Sequence, residues 1–256
     1  MKVVILAGGL GSRLGEETEL VPKPLVQIGD KPMLWHIMKI YSHFGLNDFV
    51  ICLGYKGYVI KEFFSNYFLH TCDVTFDIKN QRMEVHQNRA EPWRISLIET
   101  GADTMTGGRL KRVADHLEGQ TFCFTYGDGV ADVDVRALIA FHRAQGRLAT
   151  VTAVAPPGRF GVIETQGDLV SGFHEKIEGQ TNLINAGFFV LEPGVLDYID
   201  GDRSIWEQEP MNRLAAAGQL AAYRHTGFWQ PMDTLREKRL LEELWRTRRA
   251  PWKVWG

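Results

Sequence analysis

Positions 8, 9 and 11 are glycines, inside the segment Leu6-Ala7-Gly8-Gly9-Leu10-Gly11-Ser12-Arg13-Leu14. Without Cβ atoms, such a run brings backbone close to a ligand and aims successive N–H groups into one concavity, which suits phosphate. Arg13 adds a fixed cation whose paired donors match phosphate oxygens. Farther on, Lys23 stands between two prolines in Val21-Pro22-Lys23-Pro24-Leu25. A lone lysine is most often a solvated surface charge, but a proline-stiffened frame behind a glycine loop makes phosphate contact the better reading. Two rival loops compete. The P-loop string G-x-x-x-x-G-K-[ST] is absent. Gly9-x-Gly11-x-x-Leu14, with Asp30 beyond it, supplies two of the three small residues of a dinucleotide fingerprint, so hydride transfer is the alternative from pattern alone. Leu14 is bulky where that fingerprint packs a helix closely, and Pro22 and Pro24 interrupt any continuous helix.

The string G-G-x-G-[ST]-R-L followed by P-K-P-L resembles the signature of the sugar-phosphate nucleotidyltransferases. Trp35-His36-Ile37-Met38, Gly54-Tyr55-Lys56-Gly57-Tyr58, Tyr126-Gly127-Asp128-Gly129 and Phe228-Trp229-Gln230-Pro231-Met232-Asp233 are similar to the branch that uses CTP and glucose 1-phosphate, and the likeness spans essentially the whole chain. It implies transfer of a cytidylyl group to glucose 1-phosphate with release of pyrophosphate, a fold of the nucleotide-diphospho-sugar transferase type, and a homo-oligomer. UTP or dTTP in place of CTP is the nearest alternative, since the bases differ by a few hydrogen-bonding groups. Such chemistry needs a divalent ion on the triphosphate, and Mg2+ prefers oxygen ligands, commonly one or two carboxylates with phosphate and water. Asp128 follows an apolar strand and lies between Gly127 and Gly129, where a carboxylate projects uncrowded; its ordinary reading is a turn aspartate. Asp132 and Asp134 read as bland, Asp134 as a helix cap. Asp233 precedes the last helix, yet Thr234-Leu235-Arg236-Glu237 is itself a capping box, which leaves Asp233 available for a cleft. The resemblance implies that Asp128 and Asp233 together hold the metal.

The segment Thr104-Met105-Thr106-Gly107-Gly108-Arg109-Leu110 opens a helix, whose N-terminal N–H groups suit anions or carbonyls. In similar enzymes this segment faces the nucleobase, so Thr104 and Arg109 are candidate nucleotide contacts; Arg109 reads equally well as a surface arginine. The resemblance further places Glu175 on sugar hydroxyls, Lys176 on the sugar phosphate, Asn185 and Gly187 in a turn lining the sugar, and Gly161 where backbone approaches the hexose. The family's common E-K-P is here Glu175-Lys176-Ile177, which alters the loop's shape more than its charge. The catalytic set is then Arg13 and Lys23 on the triphosphate and leaving group, with Lys176 orienting the attacking phosphate. The eight histidines have no partner spacing. None is required as a base, because a phosphate monoester's second pKa is about 6 and the nucleophile is already ionised at neutral pH.

These residues need a scaffold that delivers loops to one end. Apolar runs alternate with helical patterns, which predicts an α/β fold with a Rossmann-like, mostly parallel sheet flanked by helices. Strands are expected at Lys2–Leu6, Asp48–Leu53, Thr121–Thr125, Leu148–Val154, Gly161–Thr165, Leu169–His174 and Ile184–Leu191. Val74–Ile78 and Ile95–Ile98 read as small strands and hairpins. Helices are expected at Pro32–Phe44, Gly57–Tyr67, Gly108–Leu117, Asp134–Gln145 and Leu235–Arg246, with helical turns near 194–199 and 206–217. The reading is one domain, with about 1–155 binding nucleotide and a strand-rich part, about 156–256, binding sugar. The chain has 256 residues and a formal net charge of −2, so no global field draws nucleic acid or anionic membrane, and anions must be held by local groups. No apolar run approaches the roughly 20 residues of a membrane helix. Cys52, Cys72 and Cys123 are far apart and form no Cys-x-x-Cys pair, which fits reduced thiols in the cytoplasm and disfavours zinc.

Overall fold

Val3–Leu6 is apolar at every position and is buried at every position, as a strand covered on both faces must be. It is β1 of a seven-stranded sheet whose other members are β2 (Asp48–Leu53), β3 (Arg94–Glu99), β4 (Phe122–Tyr126), β5 (Ala149–Val154), β6 (Ile184–Leu191) and β7 (Leu220–His225). The computed structural model describes the chain except residues 10, 12–13, 16–17, 19–20, 87–89, 156–161, 167–168 and 175–182; residues 70 and 162–174 are described by backbone alone. In space the strands run β7-β5-β6-β4-β1-β2-β3. β1 pairs in parallel with β2 and β4, β2 with β3, and β5 with β7; β6 is antiparallel to both its neighbours. The sheet is thus mixed and mostly parallel. From β1 the chain moves to β2 on one side, while β4 returns on the other. That reversal leaves a crevice beyond the carboxyl ends of β1 and β4, where open α/β sheets bind ligands.

The described helices are α1 (Met33–His43), α2 (Gly57–Ser65), α3 (Tyr67–Thr71), α4 (Thr106–Arg112), α5 (Val135–Gln145), α6 (Glu209–Ala216) and α7 (Leu235–Arg246). Alternation along β1 sends its side chains to two cores. Val3 and Ile5 pack with α1, α7 and the tail residues Trp252 and Trp255, while Val4 and Leu6 pack with Leu110, Phe124, Trp206 and Leu214 on the opposite face. Asp134 caps α5 by accepting from the Ala137 N–H at 3.0 Å, as its spacing predicts. The Gly57–Tyr67 helix breaks at Asn66, whose Nδ2 bonds back to the Glu62 carbonyl at 3.0 Å and competes with helix continuation. The Gly108–Leu117 helix begins earlier, at Thr106, and gives way to a 3-10 turn, Ala114–His116. Ile95–Ile98 is part of an edge strand of the main sheet, not of a hairpin. Val74–Ile78 does fall in a hairpin, Asp73–Asp77 with Arg82–His86. Val162–Gln166 and Leu169–His174 form a separate antiparallel ribbon. Among the described residues no helix is long and apolar enough to cross a membrane, and all three cysteines are free.

One histidine ties the tail to this core. His36 on α1 is fully buried; its Nε2 meets the Ile28 carbonyl at 2.9 Å, and its Nδ1 accepts from Trp252 Nε1 at 3.4 Å. These partners fix the neutral tautomer with hydrogen on Nε2. Burial pulls its pKa down to about 4. The unfolded chain takes up a proton near the ordinary value of about 6.5 and the folded chain resists it, so stability is full above that value and falls as pH drops toward 4. Denaturant titrations at pH 7.5 and 4.5 should differ by up to about 3 kcal/mol from this group. His36→Gln should flatten that part of the slope.

Candidate active site

The crevice is a cavity of about 660 Å³. One wall is the glycine loop leaving β1: Leu6, Ala7, Gly8, Gly9 and Gly11 line it. Thr104 and Arg109 line it as well, and so do Lys23, Asp128 and Asp233. The sequence reading named all ten of these residues. Leu10, Ser12, Arg13, Gly161, Glu175 and Lys176 lie outside the described residues. Asn185 and Gly187 do not line the cavity; they join it through Tyr126, which does.

Lys23 begins a single 3-10 turn, Lys23–Leu25, set between Pro22 in extended conformation and Pro24. From that frame its ammonium reaches Asp128 Oδ2 and Asp233 Oδ1, each at 2.6 Å. Lys23 is 12% exposed, Asp128 33% and Asp233 29%, so the cation is largely shielded while both carboxylates open toward the cavity. Burial alone would lower the Lys23 pKa, but Asp128 and Asp233 outweigh it and hold the ammonium above its usual range. Asp128 follows β4. Asp233 sits just ahead of α7, where the capping box forms: Thr234 Oγ1 accepts from the Glu237 N–H at 3.3 Å, and Glu237 Oε2 accepts from the Thr234 and Asp233 N–H groups. The cap is therefore supplied by Thr234 and Glu237, and the Asp233 carboxylate faces Lys23 instead.

Two partly exposed carboxylates that share one ammonium are hard oxygen donors at a cavity mouth. That set fits a magnesium ion completed by substrate phosphates and water. It does not fit zinc, and among the described residues no group of three or more His, Cys, Asp or Glu side chains converges.

Two expectations around α4 change. The free N–H groups expected at the start of α4 are already used: Met105 N–H donates to the Asp202 carbonyl, and those of Gly107 and Gly108 to the Ser204 carbonyl. Gly107 and Gly108 are glycines because a Cβ would lie 2.8 Å from Ser204 O and 2.6 Å from the Asp202 backbone. They admit a strap, residues 200–207, rather than a ligand. Arg109 is not a surface arginine. It is 5% exposed, and its guanidinium donates to the carbonyls of Gly8, Leu53, Gly101 and Ala102 and to Thr100 Oγ1. Among the described residues no carboxylate pairs with it. It borders the cavity as the brace between the glycine loop and the 100–102 loop.

Sequence reasoning missed Tyr126, Glu207 and Thr106 as lining residues. Tyr126 carried a signal, standing directly before Gly127-Asp128. Glu207 carried none, because nothing in Ser-Ile-Trp-Glu-Gln-Glu marks the third-from-last position as facing a cavity.

A mostly parallel sheet with a glycine loop beyond β1, a lysine and two carboxylates at the crevice defines an α/β nucleotide-handling transferase site. The chain belongs to the nucleotidyl transferase family, whose sequence profile matches residues 2–231. It is 60% identical over 256 residues to the glucose-1-phosphate cytidylyltransferase of Salmonella typhi, covering all of both chains. A protein of Bacillus subtilis (strain 168), described as a probable glucose-1-phosphate cytidylyltransferase, is 42% identical, again over the full length of both. The fold is also that of a crystal structure described as a putative glucose-1-phosphate thymidylyltransferase from Bacillus anthracis, with a TM-score of 0.69 at 20% identity, covering 100% of this chain and 97% of that one. Membership of this family displaces the hydride-transfer alternative.

Proposed function

We propose that this protein transfers a cytidylyl group from CTP to α-D-glucose 1-phosphate, giving CDP-glucose and pyrophosphate. One observation carries the reading: Lys23, Asp128 and Asp233 converge beside a glycine-loop cavity, in a chain that matches an enzyme named for this reaction from end to end. The sugar phosphate oxygen attacks the α-phosphorus in line, and pyrophosphate leaves. Both reactants are anions, so the work of the site is positioning and charge neutralisation. Backbone at Gly8, Gly9 and Gly11 cradles the triphosphate, and Arg13 offsets its charge. Lys23 stabilises charge on the leaving group. Asp128 and Asp233 would hold Mg2+, which supplies Lewis-acid charge on the phosphates when bound. Lys176 orients the attacking phosphate, and Glu175, Asn185, Gly187 and Gly161 receive the sugar. Thr104 contacts the nucleotide, and Arg109 acts through the loops it braces. Residues from about 1 to 155 carry the nucleotide side and those from about 156 to 256 the sugar side. Three unpaired cysteines suit a cytoplasmic protein, and the protein works as a homo-oligomer.

Pyrophosphate release should be measured for the four nucleoside triphosphates against several sugar 1-phosphates. CTP with glucose 1-phosphate should give the highest kcat/KM, and excess EDTA should abolish turnover until Mg2+ is restored. A different pair in front would overturn the substrate assignment, and full activity in EDTA would overturn the metal.

A further inference from the structure

β6 leaves its ladders beside Tyr126. Between the pairs Val151–Phe189 and Ala153–Asn185, β5 advances two residues and β6 four. On its other side, β6 pairs with β4 only from Phe188 to Leu191. Ala186 and Gly187 therefore sit in a bulge, outside the pairing on both sides, and Gly187 adopts φ of +81° there. Backbone groups released from a ladder need other partners. The Gly187 N–H donates to Asn185 Oδ1 at 2.7 Å. The carbonyl of the buried Ala186 accepts from Trp229 Nε1 at 2.7 Å.

Trp229 opens one strand of a two-stranded ribbon, Trp229–Pro231 against Gly129–Ala131. The register sets Trp229 opposite Ala131 and Pro231 opposite Gly129. One step further, the Met232 N–H donates to the Asp128 carbonyl at 2.8 Å. Asp128 thus lies across from Met232, and Asp233 is the next residue. Both carboxylates belong to one end of the ribbon, and the indole belongs to the other. Beyond Trp229 the Asp132 N–H donates to the Phe228 carbonyl at 3.1 Å, so the ribbon is closed at both ends by backbone bonds. Its register is held without help from the indole.

We infer that Trp229 is a positioning residue for the sugar phosphate: its indole N–H ties the Asn185–Gly187 bulge to the ribbon that carries Asp128 and Asp233, and so sets the sugar's place relative to the two carboxylates. This rests on the reading that the bulge receives the sugar. An indole nitrogen only donates, so the direction of the tie is fixed. Without it the Ala186 carbonyl loses that donor and the bulge loosens, while the ribbon keeps the carboxylates where they are. The signature is weaker use of the sugar phosphate with unaltered use of CTP.

Two replacements separate the donor from the ring. Trp229→Phe removes the N–H and part of the ring. Benzothienylalanine, placed at position 229 by an expanded genetic code, keeps the bicyclic ring and puts sulfur where the N–H was. Both should be assayed with CTP and glucose 1-phosphate varied separately. The benzothienyl variant should raise the KM for glucose 1-phosphate about fivefold, the scale of one neutral hydrogen bond, and change the KM for CTP less than about twofold. Its melting temperature should fall by no more than about 4 °C. Trp229→Phe should show the same selective rise with a larger loss of melting temperature, because the indole also packs against the core. Hydrogen exchange reads the tie without turnover: the Gly187 amide should exchange faster in the benzothienyl variant, and the Met232 amide should not. An unchanged KM for glucose 1-phosphate in the benzothienyl variant, equal rises in both KM values, or unchanged Gly187 exchange would each overturn the inference. Wild-type turnover separates such a failure from failure of the functional reading. A wild type that prefers another sugar phosphate sinks only the substrate assignment, and the variants are then judged with that sugar. A wild type inactive with every sugar phosphate overturns both.

Discussion

Asp128→Asn should lower kcat on the order of 10³-fold while leaving the fold intact. The amide keeps the shape of the side chain and removes its charge. In the native arrangement two carboxylates face one ammonium at 2.6 Å each. Bringing two phosphate anions together requires cationic charge held there, and a single remaining carboxylate holds a divalent ion poorly. Stability should change by less than about 1 kcal/mol, because Asp128 is one-third exposed and Lys23 keeps Asp233 as partner. Lys23→Met should cost a comparable factor, since it strips the ammonium that both carboxylates share. Coupled pyrophosphate release, with thermal melts on the same samples, checks both variants. Activity of Asp128→Asn within tenfold of wild type would sink the assignment.

Arg109→Met should behave in the opposite way and unfold the protein more easily. Five protein acceptors, from two loops and the end of β2, converge on the guanidinium. Some have other donors: the Leu53 carbonyl also takes the Thr100 N–H, and the Gly8 carbonyl takes the Tyr55 N–H. Against these losses stands relief from burying an ion, seen in the downward pull that burial exerts on the Arg109 pKa. The net cost should be about 3 kcal/mol, or a melting temperature lower by roughly 5–10 °C for a chain of this size. Arg109→Lys should not rescue it, because an ammonium has three donors and no planar fork. The KM for CTP should rise with it, since the Gly8 and Ala102 loops are cavity walls. Loss of activity with an unchanged melting temperature would instead point to direct nucleotide contact.

The contrast between these two residues shows what sequence carries. That Asp128 and Lys23 stand at the crevice was legible because local context is enough: a strand end between glycines, and a lysine held by prolines. The Thr234–Glu237 box was legible for the same reason, and it correctly freed Asp233. The brace made by Arg109 and the strap over α4 were not. Their partners are backbone atoms far along the chain, and a carbonyl leaves no mark in the sequence. Gly107 and Gly108 did leave a mark, but the same pair suits a ligand or a packed loop. β7 was missed because Leu-Ala-Ala-Tyr-Arg-His alternates weakly, as an edge strand half open to solvent does. The run Ile95–Ile98 was seen as a strand, but a short half-buried run reads alike at a sheet edge and in a hairpin.

Lys23 and Asp233 are 210 positions apart, and the sheet is complete by His225. Ribosomal synthesis therefore finishes the β-scaffold before it delivers the second acid. The stretch that follows His225 brings Asp233 and also Leu241, Trp252 and Trp255, which seal one face of the interior. A prematurely terminated product thus lacks one of the two crevice carboxylates and its seal together. Its uncovered apolar face marks it for chaperones and proteases.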